Sequence, residues 1–387
     1  MVKPSLFNKD AQLTKAAAHL SIGSNLTYID AMEIHAKQLL DWYDRHHRVL
    51  PWRISPKDVQ NGLKPDPYKI WLSEVMLQQT TVEAVKAYFI KFIQKWPRVE
   101  NLAAASLDDV LKAWAGLGYY SRARNLKACA DRIVKDYNGI FPNTINDLKK
   151  LPGIGDYTSA AIAAIAFNQN EAVVDGNIER IISRLFCIST PLPAAKPLIR
   201  EKMALISPND RPGDFAQAMM DLGASLCSPK RPSCFLCPIN SNCQALAQGD
   251  PEIYPIKAPK KDKPLRQGAA FILLSKEGNV FLQKRHEKGL LAQMSEVPNY
   301  FGSLEEKHDL NQAPSKANWH YSGEATHIFT HFRLEMSVYL ANNIDEQNFK
   351  NGWWVAIDDL HDEALPTVMK KIIATALPDA FKIKRAA

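Results

Sequence analysis

Two carboxylates carry the first chemical signal in this chain of 387 residues. Glu74 lies in Trp71-Leu-Ser-Glu-Val-Met-Leu-Gln-Gln-Thr80, an apolar stretch at helical spacing where an ionised side chain is costly unless partnered. Burial there would raise its pKa and suit it to general-acid work, whereas on an exposed face it would be no more than another Glu83. Asp175 follows an apolar run in Val173-Val-Asp-Gly-Asn-Ile178, at the head of a helix expected over 178–186, where an N-cap alone would explain it. As a pair, one raised and one ionised carboxylate suit cleavage of a glycosidic bond. That reaction needs a proton for the leaving group and a negative charge beside an oxocarbenium-like sugar.

The cysteines carry the second signal. Four of the six fall in one short loop as Cys227-x6-Cys234-x2-Cys237-x5-Cys243, stiffened by Pro229, Pro232 and Pro238. Four soft ligands so close in sequence suit zinc or an iron–sulfur cluster. A zinc ribbon usually shows two Cys-x2-Cys pairs, so one pair with a single cysteine on each side favours a cubane. Clustering of this kind points to a reducing compartment, because a secreted disulfide framework would be more scattered. Cys129 and Cys187 stand apart and read as buried helical residues.

Leu151-Pro-Gly-Ile-Gly-Asp-Tyr-Thr158 sits between two helical patterns. Gly153 and Gly155 would let the backbone adopt positive φ and approach a partner closely. The amides opening the next helix would then form an anion site that fits a DNA phosphate without reading sequence. A plain connector between packed helices is the alternative, and such hairpins serve several kinds of DNA enzyme.

The elements that must position these groups fall into two classes. Apolar spacing predicts helices over 31–46, 68–96, 107–117, 121–137, 158–167 and 178–186, an all-helical region over 29–247. The stretch 248–266 is rich in Pro and Lys and lacks periodicity, so it reads as a linker whose lysines could follow a DNA backbone. Beyond it, strands are expected over 268–274, 280–285, 327–340 and 353–357 and a closing helix over 365–376, giving a smaller α+β domain over 267–380. Residues 1–28 read as an N-terminal tail. The formal charge of +7 suits a nucleic-acid partner, and no apolar run approaches the ~18 residues that span a bilayer.

Hairpin, Val-Asp-Gly-Asn acid and cysteine loop together resemble the endonuclease III superfamily of helix-hairpin-helix DNA glycosylases, and within it the MutY family, which removes adenine opposite 8-oxoguanine. The resemblance covers about residues 29–375 and implies a mainly α catalytic domain with a [4Fe-4S] cluster on Cys227, Cys234, Cys237 and Cys243. It also implies a C-terminal Nudix-like domain. By resemblance, Glu74 protonates adenine and later activates water, Asp175 stabilises the oxocarbenium ion, and Tyr157 and Asn177 support them. Lyase relatives carry a lysine where Tyr157 stands, so hydrolysis without a Schiff base is implied. Trp52 and Arg53 would line the adenine pocket. Leu77, Gln79 and Tyr119 would enter the base stack, and Lys230 and Arg231 would face phosphates. In Thr326-His-Ile-Phe-Thr-His331, His327, Thr330 and His331 match the loop that inspects 8-oxoguanine, with Thr330 replacing the usual serine. The segment 294–306 offers only Glu296, Glu305 and Glu306, a spacing unsuited to nucleotide hydrolysis. The implied partner is double-stranded DNA bearing A:8-oxoguanine or A:G mispairs, met by a cytoplasmic monomer without membrane attachment. Rival readings are a glycosylase/lyase for oxidised pyrimidines, a non-catalytic redox sensor of DNA, and a DNA-binding nucleotide pyrophosphohydrolase.

Overall fold

The computed structural model describes residues 28–259, 262–285, 289–301 and 310–382. The expected tail before Tyr28, and Glu305 and Glu306, lie outside the described residues.

The N-terminal two thirds is helical, and its order follows from four buried helices. Pro67–Leu77 starts with Asp66 accepting the Tyr68 amide (2.9 Å) and Pro67 supplying a pre-set φ at the first turn. Eight of its residues, Tyr68 and Ile70 to Met76, are buried, so the helix is enclosed on all sides and carries Glu74 into the core. Asp156–Phe167 is packed on nearly every face through small residues (Ala160, Ala161, Ala163 and Ala164), and Pro212–Ser225 lies against it. Gly176–Leu185 buries one strongly apolar face against the same partner and points its N-terminus, capped by Asp175, at the Glu74 helix.

Sequence spacing predicts one helix over 68–96; the structure breaks it into Pro67–Leu77 and Val82–Lys95. The break has a distant cause. Arg122, buried in Ser121–Tyr137, donates to the carbonyls of Val75 (2.8 Å) and Met76 (2.9 Å), which frees the chain to turn at Gln79, φ 57°. Cys187 also departs from expectation: it follows the helix Gly176–Leu185 in left-handed geometry, φ 47°, while Cys129 is buried in a helix as expected.

The C-terminal part is a mixed sheet. β1 (Leu265–Ser275) pairs in parallel with β6 (Arg333–Ile344) and antiparallel with β2 (Asn279–Lys284). β3 (Ser295–Glu296) and β7 (Trp353–Ala356) pair with β2, β4 (Asn299–Phe301) with β1, and β5 (His320–Ile328) with β6. The helix Thr367–Ala376 covers β5 and β6. The single strand expected over 327–340 is instead the β5–β6 hairpin. His327 closes toward the end of β5, while Thr330 and His331 sit on its turn, so the two histidines do not share a strand face. Glu296 is buried and paired with Arg285.

The two parts share packing. Leu291 touches both cores, Met294 and Ala364 are buried against the helical one, and Arg124 donates to the Ala292 carbonyl at 2.7 Å. Residues 248–258 are not a free tether: Pro251–Ile253 forms a 3-10 turn, and Leu192 bridges to Lys257. Among the described residues no helix is long and apolar enough to cross a membrane.

Candidate active site

A cavity of about 730 Å³ opens between the four buried helices. Trp52, Arg53, Glu74, Leu77, Gln79, Gly153, Gly155, Tyr157, Asp175 and Asn177 all line it, so most residues singled out from sequence converge on one hollow.

Glu74 is buried, and its pKa is pushed up to about 7. Desolvation is the main cause; the Tyr157 hydrogen bond and the Arg53 charge oppose it, and the Asp175 charge adds to it. The Tyr157 hydroxyl donates to Glu74 Oε2 at 2.5 Å. Asp175, half-buried, caps its helix by accepting the Ile178 amide (2.7 Å) and the Asn177 side chain (3.1 Å). Burial raises its pKa too, but those bonds and the Arg180 charge pull the other way, and the helix N-terminus favours an anion. One acid titrates near neutrality while its neighbour is held by donors, a division of labour suited to proton transfer beside a developing positive charge.

Asn177 is pinned from two sides. Arg180 donates to its Oδ1 (3.0 Å), and a Cβ on Gly223 would stand 2.5 Å from the Asn177 Cβ, so only glycine lets Pro212–Ser225 approach this closely. Arg53 donates to both oxygens of Asp221 (2.8 and 2.9 Å), and Arg48 adds a bond of 2.6 Å. Asp221 and Arg48 escaped the sequence reading. Asp221 had a readable signal, an acid inside the apolar helix Met219-Met-Asp-Leu222, the same signature as Glu74.

At the rim, Leu77 is half-buried and Gln79 exposed, and Gln78 donates to Thr158 Oγ1 at 3.2 Å. Trp52 is mostly core, edge-on to Phe89 with ring centroids 5.4 Å apart. Tyr119 stands outside the cavity, exposed, at φ 48°, and its hydroxyl meets Thr330 Oγ1 at 3.2 Å. Left-handed geometry at two non-glycine rim residues is backbone strain gathered where a ligand would press. Arg122 supports both: besides capping the Glu74 helix it bonds the carbonyls of Leu117 and Gly118 (each 3.1 Å). Of the two hairpin glycines one meets the expectation of positive φ and close approach and the other does not. Gly153 has φ 75° and a Cβ there would meet Asn125 at 2.7 Å, whereas Gly155 is extended, a Cβ there would meet nothing within 4 Å, and it starts its helix without a side-chain cap. His327 is half-buried with Nδ1 unpartnered, its pKa pushed down by burial and by Lys371, and His331 is exposed.

The cysteine loop packs under the Asp175 helix. Arg180 donates to the Cys227 carbonyl (2.7 Å), and Arg184 to Cys227 Sγ (3.2 Å). Burial pushes the Cys237 thiol up to about 12; the charges of Cys227, Cys243 and Cys234 add to this, and a backbone bond from Ile239 opposes it. Backbone bonds from Leu246 and Ala245 act likewise on Cys243. Among the described residues no three His, Cys, Asp or Glu side chains converge on a single metal ion. As a donor set, four neighbouring thiols with amides directed at sulfur and no imidazole or carboxylate fit an iron–sulfur group.

Comparisons with known proteins bear on the two parts of the chain and on its family. The family model described as HhH-GPD superfamily base excision DNA repair protein matches residues 72–208, and that of the NUDIX domain matches 269–375. The adenine DNA glycosylase of Homo sapiens is 34% identical over 91% of this chain and 76% of its own length. That of Buchnera aphidicola is 34% identical over 90% of this chain and 99% of its own. Among solved structures, a thermostable thymine-DNA glycosylase superposes with a TM-score of 0.50 at 29% identity, covering 56% of this chain and 97% of that one.

Proposed function

This chain belongs to the adenine DNA glycosylase family, and from that membership we propose that it hydrolyses adenine from duplex DNA where the base stands opposite 8-oxoguanine or guanine. A DNA N-glycosylase must first take the adenine out of the stack, which the cavity volume and the strained rim at Gln79 and Tyr119 suit. Glu74, poised near neutrality, gives its proton to adenine N7. The bond between C1′ and N9 then breaks with its electron pair leaving on the base, and the Asp175 carboxylate stabilises the oxocarbenium ion. Glu74, now ionised, takes a proton from the water that adds at C1′.

The observation that carries this reading is the Tyr157–Glu74 bond inside the cavity. The hairpin helix offers a phenol to the acid there, and no lysine is among the residues lining the cavity, which favours water over an enzyme amine as nucleophile. On the other face of the duplex, Thr330 and His331 on the β5–β6 turn, with His327 near the end of β5, would read 8-oxoguanine. The Tyr119–Thr330 contact puts that turn beside the rim. Cys227, Cys234, Cys237 and Cys243 would hold a [4Fe-4S] cluster, a group common in this superfamily, which supplies a folded, charged loop in a reaction without a redox step. Four cysteines clustered in one loop favour a reducing, cytoplasmic setting.

The test is single-turnover cleavage of a duplex carrying one adenine opposite 8-oxoguanine, with wild type and Glu74→Gln in parallel. Adenine release by wild type alone, with strand scission only after base treatment, is the expected result. A borohydride-trapped protein–DNA adduct, or equal release by Glu74→Gln, would refute it.

A further inference from the structure

The turn over Ser228–Arg231 pushes Lys230 and Arg231 into solvent, and neither forms a salt bridge among the described residues. An exposed turn ordinarily leaves its backbone to water. Here it is tied almost throughout. Arg184 donates to the carbonyls of Ser228 (2.7 Å) and Pro229 (3.0 Å). The Ser228 hydroxyl donates to the carbonyls of Lys230 (2.8 Å) and, more weakly, Arg231 (3.3 Å). The last tie comes from outside the loop: Glu252 Oε1 accepts the Arg231 amide at 2.8 Å, with Arg231 in left-handed geometry, φ 49°.

Glu252 belongs to the linker, and the linker is itself anchored. Asp250 caps the Glu252 amide (3.1 Å), Arg184 donates to the Tyr254 carbonyl (3.2 Å), and Leu192 accepts from Ala258 and donates to Ile256. An acid beside two free cations lowers the local positive potential, which by charge alone weakens attraction to phosphates. Its geometry acts in the opposite direction, because the bond fixes the turn that presents those cations.

Resting on the DNA glycosylase reading, we propose that Glu252 is a positioning residue for DNA: through the Arg231 amide, the start of the linker is a strut that aims Lys230 and Arg231 at the duplex backbone. Charge and geometry then predict opposite signs, and two substitutions separate them. Glu252→Gln keeps an acceptor and removes the charge; Glu252→Ala removes both.

The experiment uses the full-length, iron-loaded protein with iron content measured for each variant, binding to an undamaged duplex across a salt series, and single-turnover cleavage. Glu252→Ala is expected to raise Kd roughly threefold to tenfold and to flatten the slope of log Kd against log salt by about one, with the rate at saturating enzyme unchanged. Glu252→Gln should bind as tightly as wild type or more so. Equal or tighter binding by Glu252→Ala, equally weak binding by Glu252→Gln, or loss of iron from Glu252→Ala would each overturn the proposal. Wild type that loads iron yet binds no duplex would instead overturn the glycosylase reading beneath it.

Discussion

Tyr157→Phe isolates the bond that most directly opposes the raised pKa of Glu74. Desolvation pushes that acid up to about 7 even though the phenol, 2.5 Å away, stabilises its ionised form. A hydrogen bond to a buried charge contributes about 1.5–3 kcal/mol, and one pKa unit corresponds to about 1.4 kcal/mol, so removing the donor raises the pKa by roughly one to two units. The acid works protonated, so activity is lost as pH rises through its pKa. The alkaline limb of the free-enzyme rate, read as cleavage at sub-saturating concentrations, should therefore move from near pH 7 to about pH 8–9 in the variant, whatever happens to its plateau. At pH 8 the protonated fraction would rise from about a tenth to about one half or more. A limb that stays in place, or moves to lower pH, would refute the assignment of that limb to a Tyr157-bonded Glu74.

The same pKa makes a stability prediction. Because Glu74 rises from 4.5 to about 7 on folding, its contribution is intact below pH 4.5 and lost as pH climbs through 7, about 3 kcal/mol in all. Urea unfolding of Glu74→Gln should show a gain over wild type at pH 8 that shrinks toward pH 5, and a gain independent of pH would count against it. Arg122→Met leaves the carbonyls of Val75, Met76, Leu117 and Gly118 without their donor, which should cost about 3 kcal/mol and weaken DNA binding at the rim; wild-type stability would contradict this. Cys234→Ser should lose iron and DNA affinity together while far-UV circular dichroism stays helical, and tight binding without iron would remove the loop from the DNA interface.

Local signals in the sequence were strong wherever one segment carried its own reason for its shape. Asp66-Pro67 starts a helix, Asp175 caps one, and Val-Asp-Gly-Asn reads as the cap it is. Errors came where shape is imposed from far away. In Gln78-Gln-Thr-Thr81 the one local signal is Thr81, which caps the next helix by accepting the Ala84 amide (3.4 Å); the end of the preceding helix is taken up by Arg122, some forty residues later, which binds its last carbonyls. Phe329-Thr-His-Phe332 contains no turn residue. That hairpin closes through the Phe329 amide on the Phe332 carbonyl (2.9 Å), with Lys263 donating to the Phe329 carbonyl and Arg266 over the Phe332 ring, both from the start of the sheet. Periodicity reports which face is buried and is silent about such cross-chain donors.

Sequence separation likewise hid why a cysteine loop belongs beside a reaction that moves no electrons. Asp175 can serve only if Asn177 holds its place, and Asn177 rests on Arg180 and on the missing side chain of Gly223. Arg180 also donates to the carbonyls of Gly223 (2.6 Å) and Cys227 (2.7 Å), the residues leading into the loop. Arg184, one turn further along the same helix, binds Cys227 Sγ and the next carbonyls, so the helix capped by Asp175 is fastened along one face to the first cysteine. Whatever orders the four thiols therefore orders the backbone that orients Asp175, and a loop that collapsed would release both arginines into a buried interface with no acceptors. Through Arg180 and Arg184 the cysteine loop is thus joined to the helix that Asp175 caps, which on the proposed reaction ties the thiols to the carboxylate beside the sugar.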